Sequence, residues 1–297
     1  MSLVLIDRLR GRAGEALLLR VAGPTAHRKR ARIHGTPGPR WFAPDRPIRV
    51  VHADASMYVG GLAALLLQSL HPVAMAAVWA HSGFRGDPWG RLQRTSTFLA
   101  ETTFGPAEDA ERAVARVRGV HARVTGTTPG GVPYRASDPA LLAWVHIAET
   151  ACFLRAYQEY GRAPLTGARR DAYVEDMASV ARRLGVPRPP VTEAALVEAL
   201  DRRRPELAAT EESAATAHYL LAAPPLPWPV RVPYALLAAA AVDLLPSWAR
   251  ELLPLPASIR LLLPFARRGG LVVTALIRWV MPRPPDRTAT STSGQGR

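Results

Sequence analysis

Cys152 is the only cysteine, so an intramolecular disulfide framework and a cysteine-cluster metal site are both excluded. Lys29 is the only lysine, which leaves the positive charge almost wholly to arginine. Long apolar runs are missing as well. The best two segments, 62–80 and 234–248, are broken by Gln68, His71 and Pro72 and by Asp243 and Pro246. Neither reaches the roughly 18 uninterrupted apolar residues of a membrane-spanning helix. In MSLVLIDRLRGRAGEALLLRVAG the positive residues follow a short apolar run instead of preceding it, which is not the order of a secretory signal. The expectation is a soluble, cytoplasmic chain. No Gly-rich phosphate loop, GxSxG elbow, HExxH or paired-carboxylate motif is present, which removes the common hydrolase and nucleotide-binding chemistries. Zinc-finger, helix-turn-helix and RNP-type patterns are also lacking, so nucleic acid is not expected as a partner.

What is there has an ordinary globular balance: 48% of residues are hydrophobic and 21% charged over 297 positions, enough to bury a core around a sizeable ligand. The net charge of +14 is unevenly placed. Residues 1–50 carry a net +8 and residues 248–297 a net +6, while the middle is neutral. Charged ends of this kind are solvated arms or contacts to an anionic surface.

Helical signals dominate. Gly60-Gly61 opens a helix to about Leu70, and His71-Pro72 marks a kink, since proline lacks a donor and restricts its predecessor. Residues 106–125 read as an amphipathic helix, with Pro106 at its start and Glu108, Asp109 and Glu111 near its positive end. Its apolar face reads Ala110, Ala113, Val114, Val117, Val120 and Val124, with His121 on the same side. After the loop TTPGGVPYRA, Ser137 or Asp138 caps a helix that starts at Pro139 and runs to Gly161. Further helices are predicted over 166–184, 192–202, 205–222 and 257–280, with a stiff proline-rich connector at 224–233. The architecture expected is an all-α helical bundle. It divides into a basic N-terminal arm (1–50), a catalytic bundle (51–225), C-terminal helices packed on the bundle or facing lipid (226–285), and a disordered tail (286–297).

The residues left to carry chemistry are histidines in apolar settings and one basic turn. His121 reads either as a hydrogen-bonded core histidine or as an axial ligand to haem iron, whose other ring nitrogen a carbonyl or carboxylate would orient. His71, His81 and His146 are the other candidates, with Glu149 one turn beyond His146. Arg91 and Thr95 share a helical face, with Arg94 on the neighbouring edge. Surface arginine is the plain reading. The specific one is a bidentate grip on a carboxylate such as a haem propionate, beside the apolar run 62–80.

The ordered segments GGLAALLLQSLHP, RLQRTSTF, VRGVHARVTG, YRASDPALLAWVH, YVEDM and LLPSWARELLPLP, spread over residues 50 to 255, resemble the DUF2236 family. That family includes the latex-clearing rubber oxygenases and the fungal membrane-bound oxygenase MpaB. The resemblance implies an all-α fold with haem b inside the bundle. It further implies His121 as proximal iron ligand, with His146 as the runner-up, and Arg91 and Thr95 lining the haem pocket. The rubber oxygenases carry a distal lysine just before the threonine. Arg94 stands there in this chain, and an always-protonated guanidinium is a poor ligand, so an open or water-filled distal site is expected. The function implied is a haem-dependent oxygenase acting with dioxygen on a small hydrophobic, isoprenoid-like substrate, with Arg91, Arg94 and Thr95 as the catalytic turn. The alternative is a non-catalytic haem or lipid carrier, held peripherally at a membrane by the basic C-terminal helix.

Overall fold

The structure is a computed structural model that describes residues 2–83, 86–224 and 226–281. Helices α1 (Ser2–Ala22) and α2 (Ala26–Gly35) lead to the short α3 (Pro47–His52), followed by α4 (Ser56–Gln68) and α5 (Pro72–His81). Next come α6 (Pro88–Phe104) and α7 (Ala107–Arg123), then a two-stranded ribbon of β1 (Thr125–Thr127) and β2 (Pro133–Arg135). The second half contains α8 (Pro139–Tyr160), α9 (Gly167–Leu184), α10 (Glu193–Arg202) and α11 (Glu211–Leu221). It closes with α12 (Trp228–Asp243), α13 (Ser247–Leu252), α14 (Ala257–Leu262) and α15 (Ala266–Val280). The all-α expectation holds, except that the loop TTPGGVPYRA forms the antiparallel ribbon, with Gly126 opposite Tyr134. Gly131, at φ +82°, supplies the left-handed turn residue that closes it.

The core is organised on α4. It lies along α8 on one side and meets α12 on another. Leu66, Leu67, Leu70, Trp144 and Tyr160 are fully buried there. Gly60 lets the helices come close, because a Cβ at that position would stand 3.0 Å from the Ala156 Cβ and 3.1 Å from the Cys152 carbonyl oxygen. The kink at His71-Pro72 is a sharp one, with α5 leaving α4 at 107°. There the His71 Nδ1 accepts a hydrogen bond from the Ala74 amide at 3.4 Å, capping α5. The apolar run 62–80 is therefore spent differently from the expectation that it walls a pocket beside His121. Its first half closes on α8 and α12, and its second half lies against the ribbon and α11.

The two ends are folded elements. The first fifty residues hold three helices, and several of their basic residues meet carboxylates or backbone elsewhere in the chain. Arg32 pairs with Glu101 and Asp109, Lys29 donates to the Thr97 hydroxyl at 3.1 Å, and Arg46 grips Asp176. At the other end, α12 enters the same core, and α15 packs along it. Arg278 on α15 forms a two-pronged pair with Asp54 at 2.7 and 3.1 Å. Two boundaries moved for local reasons. The helix expected from 205 starts at Glu211, where Thr210 and Ser213 cap each other reciprocally and Pro205 sits in a 3₁₀ turn. The helix expected over 257–280 is broken near Pro264 into α14 and α15. The tail 286–297 lies outside the described residues. Among the described residues no single helix is long and apolar enough to cross a membrane.

Candidate functional site

The hairpin of α6 and α7 sets the geometry. Each helix has 17 residues, joined only by Gly105 and Pro106, so the two run antiparallel with their far ends level. At about 1.5 Å of rise per residue, the last turn of α7 lies beside the first turn of α6. His121 and Arg91 thereby fall at the same end of the hairpin. Ser82, which follows α5, meets them there, and α1 braces this end of the hairpin. Arg20 stacks its guanidinium 4.5 Å from the Trp89 ring centre, and the Ser96 hydroxyl donates to the Val21 carbonyl at 2.7 Å.

Within this end the predicted residues differ in setting. Arg91 is half-buried and donates to the Ser82 hydroxyl at 3.0 Å. Burial, and then the charge of Arg94, bring its guanidinium down to about 10. Arg94 is exposed, donates to the Ser82 carbonyl at 3.1 Å and lies 3.5 Å from the Asp87 carboxylate. Thr95 is exposed, and its hydroxyl donates back to the Arg91 carbonyl at 3.1 Å. Two arginines on adjacent edges with Asp87 as the recorded acid partner make this end electropositive, a setting that favours a carboxylate or phosphate.

His121 is half-buried, because only the first part of α7 faces the core: Ala110, Ala113 and Val114 are buried while Val120 is exposed. Its Nδ1 is nevertheless buried and has no hydrogen-bond partner. Burial lowers its pKa, so the imidazole is neutral, as a metal ligand or acceptor must be. His146 is buried on α8, with Nδ1 3.3 Å from the Thr150 hydroxyl and Nε2 unpartnered. Burial, then the nearby Arg182 charge, push its pKa down to about 4. Of the other two histidines, His81 pairs with the Tyr134 hydroxyl at 3.1 Å, and His71 lies 3.6 Å from Glu206.

A second polar cluster was not anticipated from the sequence. His52, at the end of α3, lies 2.8 Å from the Thr103 hydroxyl and 3.4 Å from the Tyr173 hydroxyl. Burial holds its pKa near 3. Glu149 is raised to about 7 by burial and, with Cys152, is within electrostatic reach of Tyr173. Glu149 is thus not the partner of His146, which is Thr150. His52 was missed because it follows no apolar stripe. Only the packing of α3 against α6, α8 and α9 buries it.

Two concavities are recorded, and neither touches His121, His146, Arg91 or Thr95. One is a shallow depression along the outside of α10. The other is a cleft of about 210 Å³ between α8 and α10, lined by Ala143, Ile147, Arg188, Pro190 and Arg203 among others. The hairpin and α8 nonetheless make at most glancing backbone contact, while α8 packs closely on α4, α9 and α10. Helices α3 and α9 lie between them, each packing on both the hairpin and α8.

Residues 48–279 match the family model described as "ER-bound oxygenase mpaB/B'/Rubber oxygenase, catalytic domain". No curated protein and no solved structure matches the chain.

Proposed function

The chain belongs to the mpaB/rubber oxygenase catalytic-domain family, an oxygenase family whose reaction needs a substrate and dioxygen; from that premise we propose a haem b-dependent oxygenase acting on a hydrophobic substrate. The observation that carries the proposal is the His121 Nδ1, neutral, buried and unpartnered at the arginine end of the α6–α7 hairpin. A buried polar atom without a partner costs free energy unless it serves something. Among the described residues no three His, Cys, Asp or Glu side chains converge as metal ligands. Iron held in a macrocycle asks the protein for one axial imidazole, and His121 fits that demand. Bound haem would supply the activation of dioxygen.

The chain's own residues do the rest. His121 would hold the iron from the last turn of α7. Arg91 would turn from the neutral Ser82 hydroxyl toward a propionate, gaining a charge-assisted bond, and Arg94 would exchange the Ser82 carbonyl and the Asp87 carboxylate for one. Thr95, one turn from Arg91, would steady that grip. His146 would stand as a second imidazole on α8, kept neutral by burial and by Arg182, with its Nδ1 beside the Thr150 hydroxyl.

The test is dioxygen uptake by haem-loaded protein with an unsaturated terpenoid, with products screened for added oxygen by mass spectrometry. Uptake by the wild type, cut about 100-fold or more in Arg91→Ala, fits the proposal; such losses are common when a positioning group is removed. Haem binding without substrate-dependent uptake across apolar substrates would leave only the carrier alternative.

A further inference from the structure

Large apolar side chains in the open gather at the carboxyl-terminal end of the described chain. On α15, Leu271, Val272, Leu276 and Trp279 are exposed at spacings of one, four and three residues, a single stripe on the helix. Leu261 and Phe265, just upstream, are 75% and 59% exposed. The opposite side of α15 is equally apolar but spoken for. Ala266, Val273 and Ile277 are buried, and Gly269 lies close enough to Leu236 of α12 that a Cβ would sit 3.1 Å away. The helix therefore carries large apolar residues on two sides and is packed on one of them. An unpacked apolar stripe of this size on a helix marks a contact surface.

Three occupants can be weighed. The following residues, 282–297, are Pro, Arg, Asp, Thr, Ala, Ser, Gly and Gln, with no large apolar side chain to cover the stripe. A second copy stacked on the same stripe would bring Arg260 and Arg268 against their own images, and residues 257–280 hold no Asp or Glu to offset them, while Arg267 is already paired with Glu159. An anionic lipid surface suits both features, since apolar side chains enter the acyl boundary while arginines meet lipid phosphates. Trp279, at the end of the stripe, has the side chain favoured at that boundary. We infer that α14 and α15 form an interfacial docking surface by which the protein rests on an anionic bilayer, without spanning it. This inference is independent of the haem reading, because it uses neither His121 nor the α6–α7 hairpin.

The experiment is co-sedimentation of the full chain with vesicles of phosphatidylcholine alone and of phosphatidylcholine mixed with phosphatidylglycerol. Binding is expected to the mixed vesicles and to weaken as salt rises. Val272→Glu with Leu276→Glu should abolish sedimentation. Arg260→Gln with Arg268→Gln should weaken it roughly fivefold for each arginine removed. Circular dichroism and melting of each variant confirm the fold, and the arginine pair serves if the glutamate pair fails to fold. Wild-type protein that stays in the supernatant with both vesicle types overturns the inference. So does a stable dimer in sedimentation velocity that the glutamate pair dissociates, which would assign the stripe to a second copy.

Discussion

At the scale of single residues, burial decides what each titratable group can do. His121, His146 and His52 are all held neutral by desolvation, while Glu149 is held protonated up to about 7. The signs are opposite and so are the consequences. A histidine whose folded pKa is depressed destabilises the fold as pH drops from about 6.5 toward 4, because the unfolded chain takes up the proton first. A carboxyl whose folded pKa is raised contributes fully below about 4.5 and loses that contribution as pH rises toward 7. Glu149→Gln should therefore leave stability unchanged near pH 4 and raise it above pH 7, as read by urea melts across the range. The full shift corresponds to about 3 kcal/mol, and partial exposure of the residue brings the expectation to about 1–2 kcal/mol. A Glu149→Gln variant that melts like the wild type at both ends of the range would place the carboxylate in water. The sequence showed the right residue types at this scale and missed their partners. Periodicity puts His121 on a core face, but α7 leaves the core halfway along. Nothing local announced that Ser82 would receive both Arg91 and Arg94, or that α3 would carry His52 inside.

Among elements, legibility followed the strength of the local signal. Helices with a cap and a proline at the first position began where expected, as α8 does, with Asp138 accepting from the Ala140 amide at 2.7 Å. Pro106 began α7 where expected, but that α7 would fold back along α6 and bring His121 to the end that holds Arg91 was not read from the sequence. Weak or composite signals misled. Pro205 looked like a helix start and instead makes a 3₁₀ turn, and the ribbon after α7 was too short for an alternating pattern. The apolar run 62–80 was legible as buried, but not which helix would bury it, since that depends on Gly60 and Gly61 meeting α8. The tie between α15 and α4 was invisible, joining positions more than 200 residues apart. Asp54 is almost wholly buried, caps the Ser56 amide at 2.8 Å and relies on Arg278 for its charge. Arg278→Ala should cost about 3 kcal/mol, because a buried carboxylate without its partner is penalised more than the pair itself contributes. A drop in melting temperature measured by calorimetry checks this. An unchanged melting temperature would mean that α15 is held by its apolar face alone.

Over the whole molecule, family, charge and surface point the same way. The chain is an oxygenase-family bundle whose positive charge is gathered at its two ends. Near the N-terminus Arg32 and Arg46 are spent on Glu101, Asp109 and Asp176, while Arg260 and Arg268 of α14 and α15 are exposed beside an apolar stripe. An enzyme for a water-insoluble substrate gains from resting where that substrate dissolves, so the proposed membrane face and the proposed chemistry are compatible without depending on each other.

The measurement that tests the central claim most directly is the visible spectrum of purified protein titrated with haem b, for the wild type, His121→Ala, His146→Ala and His71→Ala. The account predicts a Soret band saturating at one haem per chain, lost or strongly shifted in His121→Ala and retained in His71→Ala. A wild-type protein that takes up no haem, or a band that survives His121→Ala and disappears in His146→Ala, would contradict it.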